Sequence, residues 1–140
     1  MKKNLLTPVI CLLLSVAANS QLKKITDIRG HWDIAGEQNA GASLQILDSS
    51  TIILTYMGKK MNIIDYKIDF TKSPVWFDFS TKDTGSAVMI KSLLQVIGDD
   101  MIKWQLFLDE ERPSHFSSTK GEMFYLKKAR TGITTAAVSN

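Results

Sequence analysis

Gly98-Asp99-Asp100-Met101-Ile102-Lys103-Trp104-Gln105-Leu106-Phe107-Leu108 decides how this chain reads, and its continuation to Leu126 adds a corner and a second strand. Gly98-Asp99-Asp100 is turn chemistry. Ile102, Trp104, Leu106 and Leu108 then alternate with Lys103, Gln105 and Phe107, the period of two that a strand shows when one face meets a core. Residues 109–120 bring charge and Pro113, a corner that cannot continue the ladder. Residues 122–128 are the last strand, so this stretch would form the closing seam of a sheet.

Upstream, the same period recurs. Val88, Ile90, Leu94 and Val96 mark one face of the longest strand, at 87–97. Val75, Phe77 and Phe79 alternate with Trp76, Asp78 and Ser80, and a polar loop is expected at 81–85. Ser73-Pro74 separates that strand from one at 61–70, in which Ile64, Tyr66, Ile68 and Phe70 are expected inward, and Ile63, Asp65, Lys67 and Asp69 outward. Leu44 and Ile46, then Ile52, Leu54 and Tyr56, form the inward set of a hairpin turning at Asp48-Ser49-Ser50. Trp32 and Ile34 share a face of the first strand, at 31–35, and residues 36–42 are turn chemistry. Just before it, Leu22, Ile25 and Ile28 stand three apart, which makes a short helical turn with one apolar edge, a plug rather than a free helix.

Eight strands joined by short turns, with no helix long enough to separate parallel strands, point to an all-β antiparallel meander. Eight is also the number at which an up-and-down sheet closes and loses its edges.

The first twenty residues belong to a different class. Lys2 and Lys3 precede a mostly apolar run from 5 to 18, and Ala18-Asn19-Ser20 is a small-x-small cleavage site, so residues 1–20 are expected to be a signal peptide cut near Ser20. The run is about 14 residues long and contains Pro8, short of the roughly 20 that a spanning helix requires, so no membrane span is expected in the mature chain. Export to the periplasm or beyond follows. Cys11, the only cysteine, follows Pro8-Val9-Ile10 rather than a small residue, which argues against acylation, and it leaves with the leader. The barrel domain, at 21–129, must then fold without a disulfide, and the small, hydroxylated residues from 130 to 140 are expected to be a disordered tail.

Composition excludes more than it selects. The chain is 44% hydrophobic and 22% charged, an ordinary globular balance. Its formal charge of +3 falls to about +1 once Lys2 and Lys3 are removed, and no lysine- and arginine-dense stripe interleaves with aromatics, so nucleic acid is not an expected partner.

Two sets of residues resemble a known family. Gly30-His31-Trp32, just after the helical turn, resembles the G-x-W motif of lipocalins and their bacterial relatives. Tyr66-x-Ile68-Asp69, Pro74-x-x-Phe77-Asp78, Gly98-Asp99, Glu111-Arg112-Pro113-Ser114-x-Phe116-Ser117 and Leu126-Lys127-Lys128 look, in that order and spacing, like a family of small exported bacterial domains of uncharacterised function with a lipocalin-like barrel. The resemblance spans about residues 30–130. It implies an eight-stranded lipocalin-like barrel with a short N-terminal helical turn and, by extension, a ligand cavity. It also implies a basic residue over Trp32, for which Lys127, Lys128 and Arg130 all compete.

No catalytic constellation stands out, and the chain is expected to be non-enzymatic. His31 and His115 lie beside turns without a second ligand at metal spacing, and no phosphate loop or nucleophile elbow is present, so neither a metal nor a cofactor is expected. The acids Asp99-Asp100 and Asp109-Glu110-Glu111 fall in turns, and Asp69 and Asp78 look like strand-end or turn-capping groups. Trp32, Tyr56, Tyr66, Trp104 and Tyr125 sit on strands, where they either fill the core or line the interior or rim of a cavity for a small apolar ligand. Arg112, fixed by Pro113 beside Phe116, could pair a carboxylate or phosphate or tie its corner to Asp109 or a carbonyl. Two functions stay open: binding a small apolar ligand in the barrel, or a filled barrel that meets an envelope protein partner, as an interaction or inhibitor module, through its loops.

Overall fold

The computed structural model describes residues 22–35, 41–83 and 86–130. The leader expected at 1–20, most of the turn at 36–42 and the tail from 131 onward lie outside them. After a 3₁₀ turn (Ile25–Ile28) come β1 (Gly30–Ile34), β2 (Ser43–Ile46), β3 (Ile52–Tyr56), β4 (Lys59–Asp69), β5 (Val75–Asp83), β6 (Ser86–Ile97), β7 (Met101–Phe107) and β8 (Glu122–Lys128). Each strand pairs antiparallel with the next, and β8 returns to β1 through Trp32↔Lys128 and Ile34↔Leu126, closing the barrel. Closure gives each of the eight described strands a partner on both sides.

Alternation set the inward face as the residue types require. Leu44, Ile46, Ile52, Leu54, Phe77, Phe79, Leu94, Ile102, Trp104, Leu106 and Leu126 are buried in one core. Leu22, Ile25 and Ile28 join it as a plug, and the Trp32 indole N–H donates to the Ile28 carbonyl at 2.9 Å, tying the plug to the first strand.

Three expectations need correction. Ile64 is 54% exposed whereas Ile63 is buried, because the register slips between Ile63↔Thr81 and Asp65↔Ser80. One extra residue on β4 forms a bulge there, which turns Ile64 outward and leaves Tyr66 and Ile68 inward of it. The loop expected at 81–85 is shorter, since β5 continues through Asp83 and Thr81 is buried opposite Ile63. Leu108 lies beyond the end of β7 and is exposed rather than inward.

A departure from alternation shows where the corner goes. On β7 burial is continuous from Trp104 to Phe107, although Gln105 and Phe107 point away from the barrel interior that Trp104 and Leu106 fill. Leu93, the cross-strand neighbour of both Trp76 and Gln105, is also buried on this outer wall. The segment between β7 and β8 covers it. That segment starts at Asp109 in the left-handed region (φ 54), which a short polar side chain tolerates better than most, and it doubles back over the sheet.

Candidate functional site

The interior is built from aromatic rings. Trp104 lies 6.1 Å from Phe77 in a stacked arrangement and 5.6 Å from Phe79, and Phe77 and Phe79 are 5.2 Å apart. Each large ring withdraws about 150–250 Å² from water, so this cluster dominates the packing of the barrel. Its polar atoms are satisfied: the Trp104 indole N–H donates to Ser92 Oγ at 2.9 Å, and Ser92 Oγ donates to the Phe77 carbonyl. An interior pocket lined by Leu54, Tyr56, Trp104, Leu106, Phe124 and Leu126 has a volume of about 10 Å³, and a wider, more open pocket of about 370 Å³ shares Ala42, Tyr56 and Phe124 with it. A single water needs about the smaller of these volumes, and a small-molecule site about 300–1,000 Å³.

Six residues were expected to line an interior or rim, and the fold separates them. Trp32 and Trp104 are buried in the core. Tyr66 stands edge-on to Phe77 at 6.0 Å, and its hydroxyl donates to the Ser49 carbonyl. Tyr56 donates to Glu122 Oε2 at 2.5 Å and meets Phe124 edge-on. That hydrogen bond to Glu122, with some burial, raises the Tyr56 hydroxyl above its ordinary 10.0. Arg112 and Tyr125 are on the outer wall, away from the interior the other four fill.

The basic residue over Trp32 is Lys128, whose Nζ lies 5.7 Å from the ring centroid. Gly30 makes room for it. With φ at 138°, and with the Lys128 stem 3.0 Å from where a Cβ would stand, a side chain here would be both strained and crowded.

Comparison with protein-family models, with curated proteins and with solved structures gives no match.

On the outer wall the corner is fastened at two points. The Arg112 guanidinium pairs with Asp78 of β5 and lies flat against Trp76, 3.9 Å from its ring centroid. The expected tie to Asp109 or to a carbonyl is thus made to a strand instead. At the second point, Gln105 of β7 donates to the carbonyls of Ser117 (2.8 Å) and Lys120 (2.6 Å) and accepts from the Ser117 N–H (2.9 Å). A buried amide with three hydrogen bonds from the facing loop holds that loop in register. Lys91 and Glu111 add an exposed pair at 3.5 Å, worth little on its own.

Between the second fastening and the sheet runs a groove of about 400 Å³ lined by Lys103, Gln105, Phe116, Lys120, Met123 and Tyr125, among others. Lys103 Nζ lies 4.3 Å from the Phe116 ring centroid and 5.8 Å from that of Tyr125. Of these, only Tyr125 is among the site residues expected from the sequence. The period of two placed Lys103 and Gln105 on the outer face of β7, but nothing local told that the corner would return over it.

Among the described residues no three of histidine, cysteine, aspartate and glutamate gather in a metal-binding arrangement. Asp69, at the end of β4, caps its turn through Thr71, and Glu111 pairs with Lys91, whereas Asp78, expected at a strand end or turn, lies within β5 and pairs with Arg112 across the outer wall.

Proposed function

We propose that this protein is a non-enzymatic binding module whose barrel serves as a scaffold and whose recognition surface is the outer wall under and beside the corner. The observation that carries this reading is the filled interior. A cavity of about 10 Å³ beside the hydrogen-bonded Trp104 holds no retinoid or acyl chain, whereas the corner is fastened to the wall by buried polar contacts and leaves an open groove beside them.

The setting of this module is the cell envelope or the exterior, a reading that rests on the basic, apolar and small-residue order of residues 1–20. Its partner is then an envelope or secreted protein. The lipocalin-like resemblance is in keeping with the closed meander, with Gly30-His31-Trp32 at its start and with Lys128 over Trp32. It bears on architecture; a carrier's cavity is not part of the proposal.

Titration with palmitate, retinol and a flavonoid, followed by Trp32 and Trp104 emission and by native mass spectrometry, tests the reading. Unaltered emission and no retained ligand are expected. A stoichiometric adduct that shifts tryptophan emission would overturn it.

A further inference from the structure

We propose that the groove formed by Lys103, Phe116, Lys120 and Tyr125 binds an acidic side chain presented by a protein partner, with a neighbouring apolar side chain laid on the rings. The proposal rests on the reading of the outer wall as the recognition surface and names what that wall recognises.

Three observations converge on it. First, charge: Lys103 and Lys120 both line the groove, and no carboxylate among the described residues lies in an ion pair with either. The neighbouring acids are occupied, Glu110 by the Gly121 N–H at 3.0 Å and Glu122 by the Tyr56 hydroxyl at 2.5 Å. A lysine ammonium has three donors, and the ring faces of Phe116 and Tyr125 attract its charge without accepting those hydrogen bonds in the way an oxygen does.

Second, preorganisation. Lys103 is half-buried, with its stem on β7 and its head beside two rings. A lysine already oriented loses less rotamer freedom on pairing than a free one, so a carboxylate meeting it gains more.

Third, shape. The groove is open to solvent and is lined by Met123 and Tyr125 of β8 and by the loop residues Phe116, Ser117 and Ser118. A small molecule is held by enclosure on most sides, whereas an open trough of this kind suits a side chain anchored in a larger partner.

The full chain, titrated with a capped peptide of alternating glutamate and leucine and with its glutamine counterpart, tests the proposal by amide chemical shifts. The glutamate peptide should shift Lys103, Ser117, Ser118 and Tyr125, with binding that weakens as salt is added. Lys103→Gln should weaken it by about tenfold or more, the loss that a charge-assisted hydrogen bond represents. Lys120→Gln should weaken it less, and Lys67→Gln on β4 should leave it unchanged. A thermal melt of each variant separates lost binding from lost fold, and Lys120→Gln keeps the question answerable should Lys103→Gln unfold. Equal shifts from the glutamine peptide, an unaffected Lys103→Gln, or shifts produced only by anionic lipid vesicles or a sulfated glycan would overturn the acidic-partner proposal. Failure of the scaffold reading looks different: a fatty acid would then move the Trp32 and Trp104 indole signals, which the peptide leaves in place.

Discussion

Arg112 of the corner pairs with Asp78 of β5, 34 residues earlier, while its guanidinium lies on the Trp76 face at 3.9 Å. The Arg112 side chain is only 9% exposed and that of Asp78 26%, so this pair is nearer to a buried contact than to a surface one. Removing one partner leaves the other desolvated and alone. Arg112→Ala and Asp78→Ala should each lower unfolding free energy by about 1–3 kcal/mol in urea titrations, and the double variant should lose less than the sum. Arg112→Lys should recover little, since an ammonium neither stacks flat on Trp76 nor forks onto a carboxylate.

Ser92 tests the filled interior. Its hydroxyl accepts the Trp104 indole N–H and donates to the Phe77 carbonyl, so Ser92→Ala removes almost no volume but strands a buried donor. The expected loss is about 1–3 kcal/mol, with a change in Trp104 emission that a surface Ser→Ala substitution does not produce.

Two turns carry a pH dependence of known sign. Asp48 is held below its ordinary 3.8, first by the Ser50 hydroxyl and then by the Ser50 N–H, both 2.8 Å from one carboxylate oxygen. Asp69 is held low in the same way by the Thr71 hydroxyl (2.5 Å) and N–H (3.0 Å). A depressed folded value means that these turns stabilise the fold fully above the unfolded value and lose that contribution as pH falls through the folded one. Carboxyl NMR titrations should find both midpoints below 3.8. Ser50→Ala should return Asp48 toward it.

The strands were legible because their determinant is local: Trp32, Leu44, Ile52, Phe77 and Ile102 each fall on an alternating face, and the structure buries every one. Residues whose environment comes from elsewhere in the chain were not legible. Ile63 and Ile64 are both isoleucine, and only the pairing with Thr81 and Ser80 decides which becomes the extra residue of a bulge. Likewise Gln105 and Phe107 read as the outward half of a strand, and they are buried because a loop more than ten residues downstream in sequence lies on them. The groove is made by that return, so Lys103 and Phe116 meet through a contact that no spacing rule encodes.

The bulge itself is open to a direct comparison. Ile63→Ala should cost about 2–4 kcal/mol, as a buried truncation does, whereas Ile64→Ala on the exposed side should stay within about 0.5 kcal/mol. The reverse order in chemical denaturation would place the extra residue one position earlier.

Gly121 joins the corner to β8 and shows how closely the two approach. Its φ is 70°, and a Cβ there would stand 2.6 Å from the Leu106 carbonyl oxygen and 2.8 Å from the Phe107 ring. Gly98, in the β6–β7 turn, has a similar φ of 65° with nothing within 4 Å of its Cβ position. The pair therefore separates backbone strain from contact. Gly98→Ala should cost about 1–2 kcal/mol, the penalty of the left-handed conformation alone. Gly121→Ala should cost about 2–5 kcal/mol, because backbone oxygen and a packed ring cannot both move aside. It should also loosen the Ser117 and Lys120 contacts to Gln105, read as faster amide exchange at Ser117. Equal losses at the two glycines would mean that the corner yields freely, and that the groove beside it is not held in shape by this junction.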